Sequence, residues 1–85
     1  MDHKIPSDAM NSWVRFCVDE FVREKDHQEI LLKKWFGKAS FEQLAEEYHY
    51  SVKWIQDIIY DEGDPILVKA LELTKSKNYE KPAGY

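Results

Sequence analysis

The stretch SFEQLAEEYHYSVKWIQDII, residues 40–59, contains two helix starts in close succession. Ser40 and Gln43 have the spacing of a capping box, in which two side chains satisfy backbone N–H groups that the first helical turn leaves free. Ser51 is a second helix-capping residue a short distance further on. The stretch therefore predicts two short helices joined by a sharp turn, with Ala45 as the small residue where their backbones come closest.

The apolar residues of this pair recur three or four positions apart, as on one side of a helix. We expect one helix at about 41–48 and another that begins after Ser51 and ends at Gly63. Their predicted inward side chains are Phe41, Leu44 and Ala45 in the first helix and Ile55, Ile58 and Ile59 in the second.

A helix that precedes this pair is predicted to begin at Ser7 and to end at about Glu24. Its predicted core stripe consists of Met10, Trp13, Val14, Cys17 and Phe21. The apolar residues beside the stripe are Phe16, Val18 and Val22. Because this apolar face is wide, the helix either lies between two others or offers part of its surface to a partner.

Two further helices complete the prediction. One opens with a capping box of Asp26 and Glu29 and ends at Gly37, which can adopt the left-handed conformation that ends many helices. Its predicted inward residues are Ile30, Leu31, Leu32 and Trp35. The other begins at Asp64 and Pro65, because a carboxylate can cap a helix and a proline in its first turn has no N–H to leave unpaired. Its predicted inward residues, before an end at about Lys77, are Ile66, Leu67, Ala70, Leu71 and Leu73.

The predicted fold class is all-α. We expect a small four- or five-helix domain over residues 1–77, with a helix-turn-helix at about 41–60. The last segment, 78–85, has no apolar period and is expected to be a flexible tail.

The sequence argues against several classes of function. The chain of 85 residues has no apolar run close to the roughly 20 residues that span a bilayer, and it does not begin like a signal peptide, so we expect a cytoplasmic protein with no membrane partner. Cys17, the single cysteine, has no internal disulfide partner. No metal site or cofactor is predicted, because His3, His27 and His49 lie far apart in sequence. No nucleophile, base and orienting acid can be nominated, so an enzyme is not expected.

Residues 41–59, FEQLAEEYHYSVKWIQDII, resemble the helix-turn-helix of bacterial transcription factors, in particular the region-four domain of sigma factors and Mor-type phage activators. The preceding DHQEILLKKWFGKAS resembles the helix and glycine-containing connection before the motif, so the resemblance covers about residues 26–62. His49 stands where those families usually have a glycine, and the turn accepts it in the left-handed region at some cost. The resemblance implies a sequence-specific DNA-binding transcription regulator of bacterial, phage or mobile-element type.

The resemblance also implies which residues would contact double-stranded DNA. Those expected on the outer side of the recognition helix are Ser51, Val52, Lys53, Gln56, Asp57 and Tyr60. Lys53 suits a guanine edge and Gln56 an adenine edge, whereas Asp57 can accept only from a cytosine amine. The lysines expected to position the phosphate backbone are Lys33, Lys34 and Lys38. Since site-specific binding usually needs two half-sites, a homodimer through the first or the fifth helix is expected.

The charge of the chain conflicts with DNA binding. Its net charge is −4, and Lys53 is the single cation of residues 51–64, against Asp57, Asp61, Glu62 and Asp64. A second hypothesis therefore keeps the helix-turn-helix scaffold for binding another protein, such as RNA polymerase or a regulator, with Trp54 as the contact. The lysines of residues 33–38 also have a plain structural explanation, because cations complement the dipole at the end of a helix.

Overall fold

The computed structural model describes residues 7–85, and its regular elements are all helical. The α-helices are α1 (Ser7–Phe21), α2 (Lys25–Trp35), α3 (Phe41–Tyr48), α4 (Val52–Asp57) and α5 (Gly63–Ser76), with a π-helical turn at Ile58–Glu62 between the last two. The predicted all-α class is confirmed. Within the described range, the structure has no helix of the length and apolarity needed to cross a membrane.

The long helix α1 packs chiefly against α5 and also contacts α2, which accounts for the width of its apolar face. Its core residues are Trp13, Val14, Cys17 and Val18, followed by Val22 just beyond its end. Phe21, which we expected in the core, is instead 55% exposed. The helix ends at Phe21 rather than at about Glu24, so the chain turns there and Val22 takes the buried position.

The helix α2 begins at Lys25 without the predicted capping box. Its N-cap residue is Glu24, which makes no side-chain capping bond. Asp26 instead accepts a hydrogen bond from the Tyr50 hydroxyl at 3.2 Å, and Glu29 accepts one from the Tyr48 hydroxyl at 2.8 Å. These carboxylates therefore connect α2 to the end of α3 and to the turn that follows it.

The connection from α2 to α3 places its left-handed residue one position later than predicted. Lys38 has the positive φ of 59°, whereas Gly37 is not among the positive-φ residues. A Cβ on Gly37 would lie 2.9 Å from the backbone oxygen of Lys33, so glycine is needed there for a close backbone approach rather than for a left-handed conformation.

The helices α3 and α4 form as predicted at their starts and at the turn between them. Ser40 Oγ accepts from the Gln43 N–H at 3.0 Å, and Gln43 Oε1 accepts from the Ser40 N–H at 2.9 Å, which completes the capping box. His49 ends α3 in the left-handed conformation with φ 62°. Ser51 caps α4 by accepting from the Trp54 N–H at 3.0 Å.

Gly63 does not end the helix that follows Ser51, and Asp64 does not cap a separate one. The backbone stays right-handed helical at Ile58, Glu62 and Gly63, so α4, the π-helical turn and α5 follow one another without a break. The Gly63 N–H donates to the Ile58 carbonyl, five residues back. The wider π turn accommodates Pro65, which has no N–H for an ordinary helical bond.

Residues 80–85, within the segment expected to be a flexible tail, contact α1. The indole N–H of Trp13 donates to the Glu80 carbonyl at 2.6 Å, and the Tyr85 hydroxyl donates to Asp19 at 2.6 Å. The rings of Phe16 and Tyr85 meet edge-on, with centroids 5.6 Å apart. Contacts of single aromatic residues hold this segment. Because such contacts do not repeat along the chain, the sequence shows no helical or strand periodicity there.

Candidate functional site

The outer side of α4 is the part of the fold that the sequence assigned to a partner. Ile55, Ile58 and Ile59 are buried and anchor the helix on its inner side, as predicted. The residues assigned to DNA all remain at least partly accessible, and they are Ser51, Val52, Lys53, Gln56, Asp57 and Tyr60. Each residue of this set is therefore accessible to a partner.

Trp54 and Gln56 lie on opposite flanks of that outer side. At about 100° per residue, they are separated by roughly 160° around the helix, with Lys53 between them. The Trp54 ring approaches the rings of Tyr50 and His27, at centroid distances of 6.3 and 6.2 Å. On the other flank, Tyr60 approaches Phe41 at 6.3 Å. Each flank of the helical chain from α4 into the π-helical turn thus carries an exposed aromatic side chain.

Lys53 is the cation at the centre of the outer side. Its side chain is 79% exposed, and its ammonium group lies 3.1 Å from the Asp57 carboxylate one turn later. The four-residue spacing that permits this pairing is visible in the sequence. Asp57 consequently neutralises the one basic group of the predicted recognition helix.

The three lysines assigned to the phosphate backbone do not point to one place. Lys33 forms an ion pair with Glu47 and lies over the Tyr48 ring, near the end of α3. The hydrogen bond to Glu47 is the main reason that the pKa of Lys33 is raised. Lys34 lies over the Phe41 ring, 4.7 Å from its centroid, at the start of α3.

Of these lysines, Lys34 is the one whose contacts lead towards the π-helical turn after α4, because the Phe41 ring also approaches the Tyr60 ring. Lys38 is exposed in the connection before α3, and within residues 7–85 it has no ion pair. Lys34 and Lys38 therefore have no ion pair within residues 7–85, whereas Lys33 is paired with Glu47 and Lys53 with Asp57.

A second group of residues around Trp54 was not assigned from the sequence. His27 Nδ1 lies 2.7 Å from the Glu62 carboxylate, which joins α2 to the π-helical turn. The Tyr50 hydroxyl donates to Asp26 across the same region. Partial burial, this hydrogen bond and the negative charges of Asp26 and Glu24 raise the pKa of Tyr50. This group can be recognised only from the tertiary structure, because its members lie on three separate helical elements and in the connection before α4.

No protein-family model, no curated protein and no solved structure matches this chain. Within residues 7–85, no group of three or more His, Cys, Asp or Glu side chains is arranged to hold a metal ion.

Proposed function

We propose that this protein binds double-stranded DNA through α3 and α4 and regulates transcription, as a regulator of bacterial, phage or mobile-element type. The observation that carries the proposal is the exposed outer side of α4, which follows α3 after a short connection made of a left-handed His49 and a capping Ser51. That connection leaves the first turn of α4, with Ser51 and Lys53, free to enter a major groove.

The Lys53–Asp57 ion pair is compatible with this proposal. A solvent-exposed pair one helical turn apart contributes only about 0.3–0.5 kcal/mol, so a phosphate or a guanine edge can replace Asp57 as the partner of Lys53. Lys34 and Lys38 add positive charge near the start of α3. The number of phosphates neutralised is small, and affinity should therefore fall moderately as salt rises.

The test is a titration of a labelled mixed-sequence duplex, followed by fluorescence anisotropy at about 50 and 200 mM salt. We expect binding at the lower salt that weakens at the higher, and a weaker, less salt-dependent interaction for Lys53→Ala. Lys75→Ala is the matched control, because Lys75 is an exposed lysine roughly 30 Å further along the helical chain. Equal effects of the two substitutions, or no binding at either salt, would refute the proposal.

A second candidate function is binding of another protein through the same scaffold. The observation that favours it is Trp54, which is 45% exposed on a helix whose one lysine is already paired with an acid. An exposed tryptophan is a common anchor of protein interfaces. This function predicts a large loss of partner binding for Trp54→Ala and little change for Lys53→Ala. DNA binding, in contrast, predicts that Lys53→Ala weakens the interaction.

A further inference from the structure

One flank of α4 combines an exposed tryptophan with carboxylates. We define the aromatic-acidic face as the rings of His27, Tyr50 and Trp54 together with the carboxylates of Asp26 and Glu62. Trp54 lies edge-on to both other rings, Asp26 accepts from the Tyr50 hydroxyl, and Glu62 contacts His27. Trp54 and Asp26 are exposed, and the Glu62 side chain is 40% exposed. The face is therefore open to a partner.

The charge of this face is negative. Glu24 is exposed just before Asp26 and acts on Tyr50 as a further negative charge. Arg23 and Lys25 are the nearby cations in the sequence, and the three carboxylates of Glu24, Asp26 and Glu62 outnumber them. Lys53, the neighbour of Trp54, is compensated by Asp57. A phosphate backbone would be repelled here, so the face is unsuited to DNA.

An arginine side chain matches both features. A guanidinium group stacks on an aromatic ring, with tryptophan the best acceptor, and its fixed N–H fork pairs with carboxylates. Lysine offers a point charge without the planar stacking surface. We infer that the aromatic-acidic face binds an arginine-rich segment of a protein partner. This inference rests on the second candidate function, protein binding through Trp54, names the chemistry of its partner, and uses the flank of α4 opposite Gln56.

The test exploits the three tryptophans of the chain, whose indole N–H groups give separate signals in a nitrogen-15 NMR spectrum. Trp13, held by the Glu80 carbonyl, and Trp35, packed against Gly63, serve as internal references. The probe is an acetylated, amidated Arg-Gly-Arg-Gly-Arg peptide, with its lysine counterpart in a parallel titration. We expect the arginine peptide to shift the indole N–H signal of Trp54 and the backbone amide signals of Tyr50 and His27. The lysine peptide should bind more weakly.

A cation–π contact at an exposed site corresponds to about a 2- to 5-fold change in affinity, so Trp54→Ala should weaken binding of the arginine peptide by that factor. The double change Asp26→Asn with Glu62→Gln should weaken it further. The charge-matched control is Glu20→Gln with Glu72→Gln, which alters exposed acids on α1 and α5. Circular dichroism of each variant checks that the helices remain folded.

Three results of the peptide titrations would overturn the inference. They are no shift at Trp54, shifts spread evenly over the protein surface, and equal weakening by the two double variants, which would mean attraction by net charge alone. Signals of the face that depend on protein concentration without peptide would also overturn it, because a second copy would then be the occupant. The DNA titration uses Lys53→Ala, so either proposal can fail independently of the other.

Discussion

Gly63 lies where the helical chain from α4 to α5 passes closest to α2. A Cβ added at this position would lie 2.8 Å from Cζ2 of Trp35 and 3.0 Å from Cδ2 of Leu31. Leu31 is fully buried, and the indole ring is rigid, so neither can move aside freely. The absence of a side chain at Gly63 thus permits the close packing of these helices.

Gly63→Ala should lower the free energy of unfolding by about 1 kcal/mol. Alanine favours a helix by about 1 kcal/mol over glycine, but overpacking a core costs about 1–3 kcal/mol. Urea denaturation of the single variant, and of Gly63→Ala combined with Trp35→Leu, would separate the two effects. In the Trp35→Leu background the same change should become neutral or stabilising, and an increase in stability in the wild-type background would contradict the close contact.

At the scale of elements, α4 depends on its ends more than a long helix does. It spans Val52–Asp57 and passes directly into the π-helical turn, so the Ser51 cap and the buried Ile55 hold its first turn. The position of Lys53 and Trp54 at the surface depends on that turn. Stability of α4 and presentation of the candidate site are therefore linked.

Ser51→Ala should destabilise the protein by about 1 kcal/mol, because it removes the acceptor of the Trp54 N–H. Ser51→Asp should retain the stability, since aspartate is an equally good N-cap residue. Thermal unfolding followed by circular dichroism measures both, with Ser76→Ala at the exposed end of α5 as the control. Equal stability of Ser51→Ala and Ser76→Ala would show that the cap contributes nothing.

At the scale of the whole molecule, residues 80–85 join the end of the described chain to its first helix. Trp13 and Asp19 in α1 each hold this segment through a hydrogen bond, and Pro82 within the segment is buried. Asn78 and Tyr79 have positive φ values of 54° and 66°, which turn the chain back after α5. The segment therefore belongs to the folded domain.

Removal of residues 80–85 should lower the free energy of unfolding by about 2 kcal/mol. The loss combines one hydrogen bond to Trp13, worth about 1 kcal/mol, with an aromatic pair between Phe16 and Tyr85, worth about 0.5–1.5 kcal/mol. Lys81→Ala, which removes an exposed ion pair to Asp8, is the control and should change little. An unchanged denaturation midpoint after truncation would mean that the segment does not pack in solution.

The sequence by itself determined the features that depend on neighbours within a few residues. The capping box of Ser40 and Gln43, the bounds of α3, the left-handed His49 and the cap at Ser51 all formed as predicted. The two caps depend on side-chain to backbone bonds across one helical turn, and the His49 backbone N–H donates to the Ala45 carbonyl four residues back, so the local sequence is sufficient. The spacing of Ile55 and Ile58 was equally informative, because a buried stripe repeats with the helical turn.

Only the tertiary structure decided the features that depend on distant partners. Asp26 could cap α2 or bind Tyr50, and the packing of α3 against α2 selects Tyr50. Gly63 could end a helix or allow Trp35 to pack against the backbone. Its position beside α2 in the folded protein means that it does the second. The contacts of His27 with Glu62 and of Trp13 with Glu80 join residues far apart in the chain, where no local pattern records them. The physical reason is that such contacts form only when separate helices are brought together to bury their apolar sides.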